Sequence, residues 1–591
     1  MDKSITRIFD LLPFYEKQFK FKDDVLASKE NGQWVKYDIK KFREIVDDIS
    51  YALLQLGIKK GDNIATISNN CPEWNFIDMA ILQTGAVHVP IYPTISESDY
   101  KFILQHAEVK FVFVAGKELY SKIEHLLPEL AIVPEVYTFK NTEGVKHLSE
   151  LIQLGATHRN MKMLEYAKAA IQADEIATLI YTSGTTGNPK GVMLSHHNLL
   201  SNVDAVHTYF PVDESCRALS YLPLCHVYER TNIYTYLYLG VSIYYAENMG
   251  TIADNIREIS PQILTTVPRL LEKVYDKIIA KGLKLKGAQK QIFFWAVNLG
   301  LNYKEAGKNS IFYKAQLAVA NKLVFKKWRE ALGGEMRVIV SGGAALQPRL
   351  IKVFTAGQIP VLEGYGLTET SPVIAVNTLE KGGLKFGTVG KVLKNVEVKI
   401  AQEGEILVKG PNVMKGYFKN QEMTAEAIDQ EGWFHTGDVG HIEPSGHLRI
   451  TGRIKEIFKT SMGKYISPAL IENRFKESPF IDGIMVIGEH QKFAAALIVP
   501  NFEHLRSWCR IKDITYTSDK EMIQNNNIVK RLRKEIDHYN SFFGDYEKIK
   551  KFELTDHEWT VPSGELTANL KLKRSFITLK YKDKIDKIYS D

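Results

Sequence analysis

Short apolar runs rich in β-branched and aromatic residues recur along most of this 591-residue chain. Each is followed by a Gly-, Pro- or Ser-bearing turn and then by a longer stretch with helical spacing. Asn63-Ile64-Ala65-Thr66-Ile67-Ser68, Ala86-Val87-His88-Val89-Pro90-Ile91, Phe111-Val112-Phe113-Val114 and Arg337-Val338-Ile339-Val340 are four of them. Strand-length runs alternating with helical segments imply α/β layers built on mostly parallel sheets. A chain this long exceeds a single core, so several subdomains are expected. No internal repeat or low-complexity tract interrupts the pattern, which removes solenoids and long disordered arms.

Near the C-terminus, Gly452-Arg453-Ile454-Lys455-Glu456 reads as a short polar joint. It divides the chain into an expected large N-terminal domain, 1–453, and a small α+β domain, 454–591. The small domain is expected to open with strand-like Glu456-Ile457-Phe458, to hold a second strand at 494–499, and to end in a Lys-rich tail with a solvated face.

Charge and cysteine usage narrow the partners. Lys+Arg 76 against Asp+Glu 69 leaves +7, a surplus that suits an anionic small ligand or a membrane surface and makes no case for nucleic acid. Cys71, Cys216, Cys225 and Cys509 are too scattered for a disulfide framework or a zinc site. The segment Met1–Arg7 lacks the apolar run of a signal peptide. The most apolar stretch, between Arg230 and Glu247, is broken by Gly240 and Ser242 and falls short of the ~20 residues a bilayer needs. It reads as a buried helix followed by a strand, and the protein is expected in the cytoplasm. From Leu270 to Leu332 the helices become rich in Lys and aromatics. They fit either basic helices lying on anionic lipid or, the commoner arrangement, a layer with its apolar side buried and its lysines solvated.

Three loops carry chemistry. Tyr181-Thr182-Ser183-Gly184-Thr185-Thr186-Gly187-Asn188-Pro189-Lys190-Gly191 follows the apolar run 177–180. Its glycines let successive N–H groups face an anion, its hydroxyls add donors, and Lys190 adds charge suited to phosphate oxygens. The spacing is not that of a Walker A loop, since Gly191 stands where a magnesium-binding hydroxyl would be. Ser341-Gly342-Gly343-Ala344-Ala345-Leu346 follows the run 337–340, and Leu362-Glu363-Gly364-Tyr365-Gly366-Leu367-Thr368-Glu369-Thr370 follows 359–361. Loops at the carboxyl ends of strands are where α/β sheets bind ligands. Small residues admit a flat base, Tyr365 can stack on it, and Glu369 is a hard oxygen ligand. Further on, Trp433-Phe434-His435-Thr436-Gly437-Asp438-Val439-Gly440 supplies a carboxylate able to accept two ribose hydroxyls, with Arg453 after it.

In this order, the segments resemble the core motifs of the adenylate-forming superfamily: acyl-CoA synthetases, luciferases and peptide-synthetase adenylation domains. The likeness runs from about Tyr37 to Arg574 and includes 404–410 and Pro562-Ser563-Gly564-Glu565 through Lys571-Leu572-Lys573-Arg574. Leu222-Pro223-Leu224-Cys225-His226-Val227-Tyr228-Glu229-Arg230 and Thr266-Val267-Pro268-Arg269 are most similar to long-chain fatty acid–CoA ligases. The resemblance implies ATP, Mg²⁺ and CoA as cofactor and substrates. Thr182, Ser183, Gly184, Thr185, Thr186, Gly187 and Lys190 would hold the β- and γ-phosphates. Gly343, Ala344, Gly364, Tyr365 and Gly366 would frame the nucleotide, Thr368 would contact the α-phosphate, and Glu369 would bind Mg²⁺. Asp438 and Arg453 would hold the ribose, and His226 would stand beside the acyl carboxylate.

Lys571 is implied as the adenylation lysine, with Lys573 as the rival. The small domain would rotate at Lys455, replacing Lys571 by the loop Thr460-Ser461-Met462-Gly463-Lys464, in which Gly463 would line the pantetheine channel. Many relatives have two adjacent glycines there, whereas this chain has Met462 before Gly463. Two other readings stand beside the ligase: a fatty acyl-AMP ligase serving an acyl carrier protein, and a silent fatty-acid or nucleotide binder. Peripheral contact at the inner face of the membrane is compatible with a long-chain substrate.

Overall fold

The computed structural model describes residues 1–590 apart from 183–187, 306–307 and 568–570. All four apolar runs are strands: Asn63–Ile67, Val87–Ile91, Phe111–Val114 and Val338–Ser341. The first three belong to an eight-stranded sheet. Its parallel part runs, in spatial order, Ile176–Thr182, Val87–Ile91, Asn63–Ile67, Phe111–Val114, Glu135–Thr138 and Lys146–His147. Lys190–Ser195 and Gly416–Tyr417 add antiparallel strands beside Ile176–Thr182.

A nine-stranded sheet holds the fourth run. Leu26–Glu30, Ser242–Tyr245, Arg217–Ser220, Ile263–Thr266, Val338–Ser341 and Val361–Gly366 pair in parallel, with antiparallel strands at both edges. Every residue of Phe111–Val114, Ile263–Thr266 and Val338–Ser341 is buried. Strands covered on both faces are what continuous apolar runs encode, and helices supply the cover. A smaller antiparallel sheet follows, made of Glu397–Ile400, Glu405–Lys409, Phe434–Ile442 and Leu448–Arg453.

The apolar stretch after Arg230 is a buried helix, Val227–Leu239, and a buried strand, Ser242–Tyr245. Among the described residues no helix is long and apolar enough to cross a membrane. Between Leu270 and Leu332 the helices Pro268–Leu283, Gly287–Leu301, Ile311–Ala320 and Lys326–Ala331 form one layer. Tyr275, Phe293, Phe325 and Trp328 are buried in it, and each such burial is worth about 1.5–3 kcal/mol.

Residues from Phe458 onward build their own hydrophobic cluster. Its sheet is Ile481–Ile487, Ala495–Pro500 and Lys551–Leu554, packed by Pro468–Phe475, Phe502–Ile511 and Asn526–Asn540. One local expectation is corrected. Ile454–Glu456 is a 3₁₀ turn and only Phe458–Lys459 pairs as strand, because Ile457 N–H closes the turn onto Arg453 O (3.0 Å). The Lys-rich tail forms two helices, Arg574–Lys580 and Lys582–Tyr589, with Lys580, Lys582 and Lys587 solvated as expected, while Ile577, Ile588 and Tyr581, which links the two helices, are buried. Their helical spacing puts an apolar stripe under the lysines.

Candidate active site

Val338–Ser341 and Val361–Gly366 are neighbouring parallel strands and so end side by side, where ligand-binding sheets place their sites. Lys190–Ser195, the partner of Ile176–Thr182, packs against the turn Thr368–Thr370 that follows. Thr182 and Lys190 are cross-strand partners that close the first loop. Ser183, Gly184, Thr185, Thr186 and Gly187 lie outside the described residues. The Lys190 ammonium stands 5.1 Å from the centroid of the Tyr417 ring. Tyr417 in turn donates its hydroxyl to Glu369 Oε1 (3.0 Å). Thr368 is buried beside Glu369 in the 3₁₀ turn Thr368–Thr370. A lysine, a phenol and a carboxylate from three separate segments thus form one chain.

The third loop is strand for most of its length. Glu363 to Gly366 belong to Val361–Gly366, which pairs antiparallel with Val373–Val376 through a bulge at Tyr365 and Gly366. Antiparallel pairing continues the strand where a turn was expected. Gly366 is obligatory there, since a Cβ would sit 1.7 Å from Pro372 O. The bulge re-aims Tyr365, whose hydroxyl donates to Asp438 Oδ2 (2.7 Å). Asp438 lies in the strand Phe434–Ile442, directly opposite Arg453, and Arg453 Nε is 3.2 Å from Asp438 Oδ1. Burial raises the Asp438 carboxyl, while Arg453, Tyr365 and Lys571 pull it back. Gly343 (φ +79°) and Ala344 are exposed on the second loop.

His226 caps the helix Val227–Leu239, its Nδ1 accepting the N–H of Tyr228 (3.1 Å). Burial lowers its proton affinity to about 4, and the positive charge of Lys571 adds to the effect, so the imidazole is neutral near pH 7. Lys571 therefore stands within electrostatic reach of His226 as well as of Asp438, Glu456 and Glu369. Desolvation comes first in lowering its ammonium and Arg453 second, with the three carboxylates opposing. The residue is exposed, and the protein around it still desolvates its ammonium.

The backbone around Lys571 is held by its N–H on Thr567 Oγ1 (3.1 Å) and its carbonyl on Thr567 N–H (2.8 Å). Arg574 fixes the following helix through Glu472 (2.6 Å) and Glu456 (3.6 Å). Lys573 only caps that helix. Lys455 lies exposed in the turn Ile454–Glu456. The loop holding Gly463 (φ +78°) connects Phe458–Lys459 to Tyr465–Ile466, with Met462 exposed.

Two features carried no sequence signal. Tyr417 lies in a two-residue strand without a recognisable motif. Arg230, quoted above only as part of a motif, is fully buried and joins elements from across the molecule. It pairs with Asp78 and donates to Tyr234 Oη (2.6 Å) and Thr178 Oγ1 (2.6 Å). Asp78 also accepts from Tyr234 (2.7 Å) and lies 2.7 Å from His88 Nδ1. Only a tertiary structure brings 78, 88, 178 and 230 together.

Layered parallel sheets with a site at their carboxyl ends, followed by a separate C-terminal cluster, are the architecture of adenylate-forming enzymes. This chain belongs to the AMP-binding enzyme family, whose pattern it matches over residues 15–418, with the family's C-terminal domain over 455–591. It is 32% identical to the long-chain-fatty-acid–CoA ligase FadD15 of Mycobacterium tuberculosis, over 95% of this chain and 93% of that protein. It is 31% identical to long-chain-fatty-acid–CoA ligase 1 of Cavia porcellus, over 94% and 82%. Among solved structures, the fold matches the anthranilate CoA ligase AuaEII in complex with anthranoyl-AMP, with a TM-score of 0.72, 18% identity and 98% of each chain covered. It also matches the adenylation domain of a Mycobacterium chelonae carboxylate reductase, with a TM-score of 0.74, 20% identity, and 99% of this chain and 91% of that one covered.

Proposed function

We propose that this protein is an AMP-forming long-chain fatty acid–CoA ligase. The observation that carries the reading is the position of Lys571. The C-terminal cluster carries Lys571, whose charge interacts with those of Asp438 and Glu369 and with His226, and an acyl carboxylate and an α-phosphate would meet beside it. Relatives with that printed activity match over nearly the whole chain.

In the first step a carboxylate oxygen attacks the α-phosphorus of ATP, the bond to the β-phosphate breaks, and diphosphate leaves with acyl-AMP remaining. Both reactants are anions, so the barrier falls when fixed positive groups face the developing charge. Lys190, with Thr182 to Gly187, would neutralise the β- and γ-phosphates. Lys571 would bridge acyl and phosphate oxygens. Asp438 and Arg453 would hold the ribose, with Gly343, Ala344, Gly364, Tyr365 and Gly366 around the base. His226, neutral at pH 7, would orient the carboxylate by hydrogen bonding rather than by charge.

A Mg²⁺ ion suits Glu369. The ion takes one or two carboxylates and completes its shell with phosphates and water, and Glu369 offers one carboxylate steadied by Tyr417. When bound, the ion adds positive charge at the phosphates; Thr368 would contact the α-phosphate beside it.

In the second step the CoA sulfur attacks the acyl carbon and AMP leaves. We take 1–453 and 454–591 as two domains, the second turning at Lys455 to exchange Lys571 for the loop at Gly463. An exposed Met462 is compatible with an open pantetheine path. Relatives named as CoA ligases do not favour a fatty acyl-AMP ligase serving a carrier protein. A silent binder is equally disfavoured by the presence of Lys190, Glu369, Asp438, Arg453 and Lys571. The setting would be cytoplasmic, with peripheral contact at a membrane.

The test is incubation with ATP, Mg²⁺ and palmitate, with and without CoA, following AMP and thioester together. AMP and palmitoyl-CoA rising together only with CoA support the ligase. Acyl-AMP accumulating without thioester would overturn the CoA step.

A further inference from the structure

The helix Glu97–His106 ends against the root of the first loop. His106 Nδ1 and the Tyr181 hydroxyl stand 2.7 Å apart and share one hydrogen bond. Tyr181 is buried and immediately precedes Thr182. It pairs across the hairpin with Gly191, as Thr182 does with Lys190. A Cβ at Gly191 would meet the Tyr181 ring at 3.1 Å and Phe418 at 3.3 Å, so both aromatic residues close on this glycine. The imidazole thus bears on the base of the loop at the point where its two ends meet.

The same half-buried ring reaches a second segment of the site. It stacks along Phe102 (centroids 5.1 Å apart, 14° between planes). It meets Tyr181 (5.9 Å, 84°) and Phe418 (5.6 Å, 88°) edge to face. Phe418 donates its N–H to Gly191 O (2.8 Å) and follows Tyr417, whose ring lies under Lys190 and whose hydroxyl holds Glu369. Lys419, next along, donates to His106 O (3.0 Å) and pairs with Glu108 (2.6 Å). The helix end, the loop root and the segment 416–419 are therefore one contact set.

We infer that His106 is a positioning residue for the triphosphate of ATP, holding Tyr181 and Phe418 so that Thr182, Lys190 and Glu369 keep their spacing. It acts through those two aromatic residues and not by contact with the nucleotide. An anion cradle binds only as well as its walls are held, and a displacement of about 1 Å is costly. A hydrogen bond combined with edge-to-face ring contacts fixes direction as well as distance. A histidine that merely finished its helix would affect every ligand alike. The inference rests on the assignment of Thr182 to Lys190 to the β- and γ-phosphates.

The experiment is calorimetric binding of ATP and of AMP, each with Mg²⁺, to the full protein and to its H106A, H106N, Y181F and K190A variants. H106A should weaken ATP roughly five- to thirtyfold and AMP less than about twofold, because AMP lacks the phosphates assigned to the loop. The KM for the fatty acid should stay within about twofold. H106N should recover most of the ATP affinity, since its amide brings a donor and an acceptor near the position of Nδ1. Y181F should show part of the same ATP-specific loss, and H106A/Y181F should be little worse than H106A. Where H106A loses its fold, Y181F, which lacks a single oxygen, carries the comparison. Equal losses for ATP and AMP, no recovery in H106N, or losses that multiply in the double variant would overturn the inference. An ATP-specific loss in K190A without one in H106A and Y181F would remove this inference alone. Unchanged ATP and AMP binding in K190A would remove the phosphate assignment and the inference with it.

Discussion

Arg269 places one guanidinium nitrogen 2.8 Å from each carboxylate oxygen of Asp482. Arg269 opens the helix Pro268–Leu283, and Asp482 lies in the strand Ile481–Ile487 of the C-terminal cluster. Close by, Gln347 Nε2 contacts Lys476 O (3.3 Å) and Glu272 Oε1 (3.0 Å). These contacts hold the C-terminal cluster against the helix Pro268–Leu283, the arrangement in which the Lys571 charge acts on His226 and Asp438. Arg269→Ala should therefore slow acyl-AMP formation by roughly two- to tenfold, the worth of a partly exposed, well-aligned ion pair. Thioester formation from supplied acyl-AMP should not fall. Swapping the charges, R269D with D482R, should recover part of the loss in the first half-reaction. An equal fall in both half-reactions would show that the pair does not set domain position.

Lys571→Ala should cost about 10²–10³-fold in acyl-AMP formation, the range for removing one group that faces developing charge. ATP binding measured by calorimetry should change only a few-fold. Because desolvation and Arg453 lower the Lys571 ammonium, the protonated form is lost at a lower pH than for a free lysine. The first half-reaction should decline on the alkaline side accordingly, and Lys571→Arg, where active, should move that decline upward. Lys573→Ala should retain activity within about twofold, the ordinary range for a surface substitution.

How far the site could be read from the chain depended on whether its parts were local. The runs that became Asn63–Ile67 and Val338–Ser341 declare themselves by composition, because a doubly covered strand must be apolar throughout. Asp438 and Arg453 each belong to a recognisable segment. That they are cross-strand partners follows from the hairpin register and its bulge at Val439 and Gly440, which no local pattern encodes. The stretch after Val361 was misjudged as loop because Gly-Tyr-Gly is turn-like, whereas pairing with Val373–Val376 keeps it extended. Tyr417 and the Asp78–Arg230 pair were invisible because their partners are distant in sequence.

Tyr417→Phe removes the hydroxyl that holds Glu369 and leaves the ring under Lys190. A hydrogen bond to a charged acceptor is worth about 1.5–3 kcal/mol, so kcat/KM should fall by roughly ten- to a hundredfold. If Glu369 binds Mg²⁺, the Mg²⁺ concentration for half-maximal activity should rise while the KM for the fatty acid stays near wild type. A rise in the fatty acid KM alone would place Tyr417 on the acyl side instead.

Glu363 is buried, and desolvation pushes its carboxyl up to about 8 although Leu346 N–H (2.9 Å) and Arg449 oppose the shift. In the unfolded chain the group ionises near 4.5. Between those values the folded protein holds a proton that the unfolded chain has released, so stability falls as pH rises through this window. Glu363→Gln keeps an acceptor for Leu346 and removes the slope. The variant should match wild type near pH 5 and exceed it by on the order of 1–3 kcal/mol at pH 8. Thermal melts across that range check it, and parallel curves would mean that Glu363 is ionised in the folded protein.

The pair of Arg230 and Asp78 ties Val227–Leu239, the helix that His226 caps, to Pro72–Thr84 and, through Thr178, to the strand Ile176–Thr182. Burial lowers His88 to about 4, so its neutral ring donates Nδ1–H to Asp78 and accepts from Thr66 (2.9 Å). Every polar atom of this charge pair is thus satisfied without water. Removing one partner strands the other, and Arg230→Met should destabilise the protein by about 3–5 kcal/mol. Asp78→Asn should cost a similar amount. The double variant should lose clearly less than the two combined, because neither charge is left alone. Denaturant melts of the four proteins decide the matter. Additive losses would mean that Arg230 acts by filling space against Trp74, over which it lies at 5.5 Å, and not as the partner of Asp78.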